Sequence, residues 1–130
     1  MLMLVIAQVL AGLGALVHVY IFVLESFAWN TPRGRATFAT TPEQAASSAD
    51  LAYNQGFYNL FLAVTSATGI LLLSVGNTGP GAALVFAGSG SMVLAAVVLL
   101  TRNRAMSRAA AVQGVAPLLA VVALTLALVG

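Results

Sequence analysis

Leu2 to Glu25, reading LMLVIAQVLAGLGALVHVYIFVLE, decides the fold. No formal charge interrupts this stretch before Glu25. As an α-helix rising 1.5 Å per residue it is about 35 Å long, enough to cross the roughly 30 Å hydrocarbon core of a bilayer with modest tilt. It has neither the basic start nor the small-residue cleavage site of a secretory signal, so it reads as a retained helix. Three further apolar blocks follow. The second runs from about 51 to 75 and ends in Gly76-Asn77-Thr78-Gly79-Pro80-Gly81; the third runs from about 82 to 101 and stops at Arg102-Asn103-Arg104; the fourth runs from about 109 to 129. The expected fold is all-α, a four-helix transmembrane bundle forming one membrane domain over residues 1–130, with helices two and three joined as a tight hairpin.

Composition agrees with that reading. The chain has 130 residues, 61% of them hydrophobic and 6% charged, with a mean hydropathy of +1.03. Soluble domains carry about 25% charged residues. Eight formal charges could not cover the surface of a 13.2 kDa globule, which excludes a water-soluble fold. The absence of cysteine removes disulfides, thiolate catalysis and cysteine-ligated zinc, and a single histidine argues against a histidine-rich metal site or haem ligation. No metal and no redox cofactor is expected. The pI of about 9.7 rests on five arginines against three acids, which suits a membrane surface and implies no nucleic-acid partner.

The one long connection expected lies between helices one and two, from Ser26 to Asp50, and contains Pro32, Gly34 and Pro42. Within it Thr41-Pro42-Glu43-Gln44 reads as a helix start, with threonine as N-cap, proline at the first helical position and glutamine as capping-box partner. This predicts a short surface helix leading towards helix two. Arg33 and Arg35 fall in the first loop and Arg102, Arg104 and Arg108 in the third, while the second loop and both tails carry none. The positive-inside rule then places the first and third loops in the cytoplasm and both termini outside, in a multi-pass protein of the cytoplasmic membrane. So one-sided a bias argues against a dual-topology dimer. Close packing against a second copy is permitted by Gly88-Ser89-Gly90-Ser91, which allows a homo-oligomer.

Polar side chains within the spans carry the functional information, because each is costly in lipid unless it has a partner or a purpose. His18 and Glu25 are seven residues apart on one helical face, which continues through Gly14, Ala11 and Ala7. Asn54, Gln55, Tyr58 and Asn59 lie in the first turns of helix two and share an arc with Leu62, Ser66 and Gly69. Helix four adds Gln113, one turn before Pro117. Any one amide is explained by interhelical packing, a lone histidine by an interior hydrogen bond, and Glu25 by an ion pair with Arg33 or Arg35. Six or seven such groups on two or three faces exceed what packing requires. They predict a cavity in the arginine-bearing half, with Glu25 and His18 as acid/base candidates and the amides and phenol as orienting groups.

These same residues carry a resemblance. His18-Val19-Tyr20-Ile21-Phe22-Val23-Leu24-Glu25, Trp29, Thr31-Pro32-Arg33-Gly34-Arg35, Phe38, Asn54-Gln55-Gly56-Phe57-Tyr58-Asn59, Leu62-Ala63 and Gln113-Gly114 before Pro117 resemble, in order along essentially the whole chain, the small bacterial membrane proteins grouped as domain of unknown function 1304. The resemblance implies four membrane helices and supplies no reaction. Tyr20 and Trp29, within these strings, join the candidate substrate-binding set, although Trp29 is most simply an interfacial anchor.

The functional expectation is an acid/base enzyme, an isomerase, cyclase or epoxide-opening hydrolase, acting on a lipophilic small molecule within the bilayer. Glu25 or His18 would move the proton, and Asn54, Gln55, Tyr58, Asn59 and Gln113 would orient the reacting group. The alternatives are a transporter or binding protein for a small hydrophobic or cationic solute, or an accessory subunit. The other half of the bundle offers only Gln8, Thr65, Ser66, Thr68 and the serines of helix three, which favours a one-sided pocket over a two-sided path.

Overall fold

The computed structural model describes the whole chain, Met1–Gly130. It contains α1 (Leu2–Phe27), α2 (Pro32–Phe38), α3 (Pro42–Ser74), α4 (Thr78–Arg102), a 3-10 turn (Arg104–Met106) and α5 (Ser107–Val129), and no strand. Four of these helical segments are long and apolar enough to cross a membrane, and large apolar side chains such as Leu16, Leu71 and Val98 stay about two-thirds exposed on the outside. The chain is a multi-pass membrane protein. Its long helices form an up-and-down bundle in which each packs on the next and α5 returns to α1.

Small residues set the seams. On α1 the buried stripe is Ala7, Ala11, Gly14, His18 and Glu25; on α3 it is Ala45, Ala52, Gly56, Asn59, Ala63, Ser66, Gly69 and Leu73, the three- and four-residue spacing of a helix seated along a partner. Between α3 and α4, a Cβ on Gly88 would come within 2.8 Å of the Ser66 amide nitrogen, so this crossing depends on near backbone contact. In the half remote from the arginines, Ala7, Ala11, Leu73, Ala82, Val85, Ala120, Ala123 and Leu124 form a continuous apolar core.

The long first loop is not observed. Helix propagation from the Thr41 cap runs without interruption into the second span, giving one helix of 33 residues. Its capping box is present in full: the Thr41 N–H donates to Gln44 Oε1 at 2.9 Å, and the Gln44 N–H donates to Thr41 Oγ1 at 3.2 Å. What remains between α1 and α3 is mostly α2, which starts on a second threonine cap, Thr31, with Pro32 at the first position. The hairpin turn is also shorter than expected. Gly76 takes the left-handed conformation (φ 81°), and α4 already begins at Thr78, because Pro80 in a first turn forfeits no helical hydrogen bond. The Gly88-Ser89-Gly90-Ser91 run is divided between two faces: Gly88 and Ser89 are buried against α3, with Ser89 Oγ 3.1 Å from Ser66 Oγ, and only Gly90 and Ser91 face outward.

Candidate functional site

The arginine-bearing half of the bundle is hollow. A cavity of about 570 Å³ lies among α1, α3, α4 and α5 beneath α2, and thirteen of its nineteen lining residues are hydrophobic. The run of each helix orders its wall by depth. Val17 on α1 and Ala95 on α4 are deepest. Asn59 and Gln113 lie above them, and Glu25, Gln55, Leu99, Met106 and Arg108 lie near the end of the bundle, with Ala36 to Phe38 of α2 and its C-cap Ala39 alongside. Val17 and Glu25 differ by about 12 Å along the axis of α1.

Glu25 is 9% exposed, and its Oε2 accepts a 2.7 Å hydrogen bond from Asn59 Nδ2; Asn59 also donates to the Gln55 carbonyl at 3.2 Å. The ion pair considered for Glu25 does not form, because both arginines are engaged elsewhere. Arg33 Nε donates to the Tyr20 hydroxyl at 2.6 Å with its guanidinium 5.7 Å from the ring centroid, and Arg35 donates to the Asn30 carbonyl. A carboxyl group lodged in a mostly apolar wall with one neutral amide for company is costly to place there for packing alone.

Of the nine candidate site residues, Glu25, Tyr20, Gln55, Asn59 and Gln113 share the cavity wall. The other four do not. His18 is fully buried and off the cavity wall; its Nδ1 is 2.9 Å from the Gly14 carbonyl, which can only accept, so that nitrogen carries the proton and Nε2 is left without a partner. Asn54 and Tyr58 are exposed on the outer flank of α3, Tyr58 edge-on to Phe61. The physical reason is that Ala52, Gly56 and Ala63 seat α3 on α1, and that small-residue seam turns the helix so that only part of the polar arc faces inward. Trp29 is an anchor within the protein. Its Nε1 donates to the Ala45 carbonyl and Ser48 Oγ, both at 3.1 Å, and its ring packs against Phe38, which does line the cavity.

Sequence reasoning reads Arg108 for topology alone and α2 as loop, yet both border the cavity. Thr31-Pro32 repeats the signature of Thr41-Pro42 and is the available signal for α2. Because Trp29 ties α2 to the start of α3, Trp29→Ala should raise hydrogen exchange across Pro32–Phe38 by about tenfold, the equivalent of one lost hydrogen bond, while the bundle helices keep their protection. Equal loss of protection in α1 and α5 would show that Trp29 supports the whole fold instead.

The family model described as a protein of unknown function (DUF1304) matches residues 12–125 of the chain. No curated protein and no solved structure matches the chain.

Proposed function

The chain belongs to the DUF1304 family, and from its cavity we propose that it is a membrane-embedded enzyme in which Glu25 performs general acid/base chemistry on a lipophilic small molecule. Isomerisation, cyclisation and epoxide opening are the reaction types that need only a positioned proton donor or acceptor and orienting groups. One observation carries the reading: the Glu25 carboxyl lies on the wall of a predominantly apolar cavity of small-molecule size, unpaired with any arginine and steered by Asn59. Asn59, Gln55 and Gln113 orient the reacting group, and Tyr20 holds the α2 side of the wall through Arg33. His18, fully buried off the cavity wall with its Nδ1 on a carbonyl of its own helix, takes no proton from substrate.

The test is Glu25→Gln, which keeps the shape and an acceptor for Asn59 Nδ2 while removing the exchangeable proton. The variant should fold and retain ligand, and turnover should fall by about 10² to 10⁴. Mass spectrometry and chromatography of co-purified ligand should show the variant enriched in unconverted substrate where the native chain holds product. Identical ligand populations in both proteins would remove Glu25 from the chemistry. For a transporter, the ligand would be unchanged in both and uptake into vesicles would respond instead.

The five-to-none arginine bias supports a cytoplasmic-membrane protein with the cavity end towards the cytoplasm. Reporter fusions after residues 40 and 105 should read cytoplasmic, and those at residue 78 and at the C-terminus external. Mixed signals at any one position would reinstate dual topology.

A further inference from the structure

The cavity wall holds two charged side chains, Glu25 and Arg108, and they are not paired with one another. Glu25 is engaged by Asn59. Arg108 is exposed and has no partner, in contrast to Arg33 on Tyr20 and Arg35 on the Asn30 carbonyl. A guanidinium presents a rigid fork of N–H donors that matches a carboxylate or phosphate in two parallel hydrogen bonds. Arg102 and Arg104 precede it in the same connection, and Arg33 and Arg35 belong to the segment on the other side of the cavity, so the end of the bundle, which also holds Glu43 and Asp50, carries a net positive charge. Such a field concentrates anions at the entrance and disfavours a cation on its way to Glu25.

Depth adds a second constraint. Below Glu25 and Arg108 come Asn59 and Gln113, and beyond these the wall is apolar, ending at Val17 and Ala95, while Met92 and Pro117, fully buried, fill the space beneath. A ligand therefore enters with its apolar part leading and leaves its polar part near the arginine end. Resting on the reading of this cavity as a substrate site, we infer that the substrate is an amphiphile with an anionic head group, carboxylate or phosphate, held by Arg108, and an apolar body that reaches Val17 and Ala95. The reacting centre is then the part of the molecule next to the head group, at the level of Glu25 and Asn59.

The experiment uses the full chain in nanodiscs of zwitterionic lipid and four probes of equal chain length: decanoate, decyl phosphate, decanol and decyltrimethylammonium. Trp29, the one tryptophan, packs on the cavity-lining Phe38 and supplies the fluorescence signal. Both anions should bind about tenfold more tightly than decanol, as expected for a charge-assisted hydrogen bond. Arg108→Gln should erase that preference without altering decanol, Arg108→Lys should keep part of it, and Ala95→Phe, which fills the deep end, should weaken all four. If Ala95→Phe weakens every probe but anions show no preference, or keep it in Arg108→Gln, the anionic head group is wrong while the cavity reading stands. Preference for decyltrimethylammonium also overturns it. Indifference of all probes to Ala95→Phe overturns the cavity reading itself. In nanodiscs of anionic phospholipid, competition against the probes identifies a membrane lipid as the source, and unchanged binding identifies a free amphiphile.

Discussion

Gly56→Val is expected to prevent α1 and α3 from docking at the cavity and to cost at least the roughly 1–3 kcal/mol typical of overpacking. A Cβ at this position overlaps Ser26 Oγ and lies 3.0 Å from both the Phe22 carbonyl oxygen and the Ser26 amide nitrogen. The hydroxyl has little room to give, since it donates to the Tyr53 carbonyl at 3.0 Å. The two backbones must separate, and Glu25 and Asn59 lie within one turn on these same helices. The variant should therefore lose thermal stability and ligand together. Gly90→Val is the control: nothing lies within 4 Å of its Cβ, so it should be nearly silent. Similar losses in both variants, followed by heat denaturation in one detergent, would mean that a branched side chain is disruptive anywhere on these helices, since valine is a better helix former than glycine, and that the α1/α3 seam is not responsible.

Asn59→Leu removes the side-chain donor to Glu25 and leaves a carboxyl group unpartnered in a wall where it is 9% exposed. An unsatisfied buried polar group costs about 1–3 kcal/mol, more when charged. The double variant Glu25→Gln/Asn59→Leu should recover about 1 kcal/mol of that loss, because the group left unpartnered is then a neutral amide. Additive losses in the cycle would show that Asn59 contributes only packing. Ligand retention separates the roles further, since Asn59→Leu should release ligand that Glu25→Gln keeps.

Which parts of the molecule are legible in the sequence follows from the physics of each signal. The spans are plain, because a bilayer demands about twenty apolar residues and the arginines mark where they stop. The Thr41 capping box is legible because it is local chemistry among four residues. That α3 continues from it for 33 residues is hidden, since polar Gln44 to Asp50 look like loop in composition although nothing there breaks a helix. In the site, the seven-residue spacing of His18 and Glu25 places both on the buried face of α1. The inward face of α3 is less accessible to such reading, because its polar residues suggest one rotation whereas Ala52, Gly56 and Ala63 decide it by how closely they let α1 approach. Asn54 and Tyr58 fall outside the cavity for that reason. That His18 is buried off the cavity wall depends on how four helices fill their midsection, which no single helix encodes.

The filled half of the bundle bears on the membrane's ion gradients. An acidic group inside a membrane protein is a potential step in a proton leak, and a leak dissipates the voltage on which the cell's other transport depends. Beyond the cavity the chain interposes Met92 and Pro117, then an apolar core that includes Val85 and Leu124 at 0% exposure. Polar groups of that half are spent within the bundle, Gln8 on Ser74 and the Ile70 carbonyl, Ser66 with Ser89, and Thr65, Thr68 and Thr125 on carbonyls of their own helices. On the reading proposed above, the protons that Glu25 exchanges pass through the cavity and not through this core. The bundle thereby sets a carboxyl group within its membrane-spanning part behind an apolar plug.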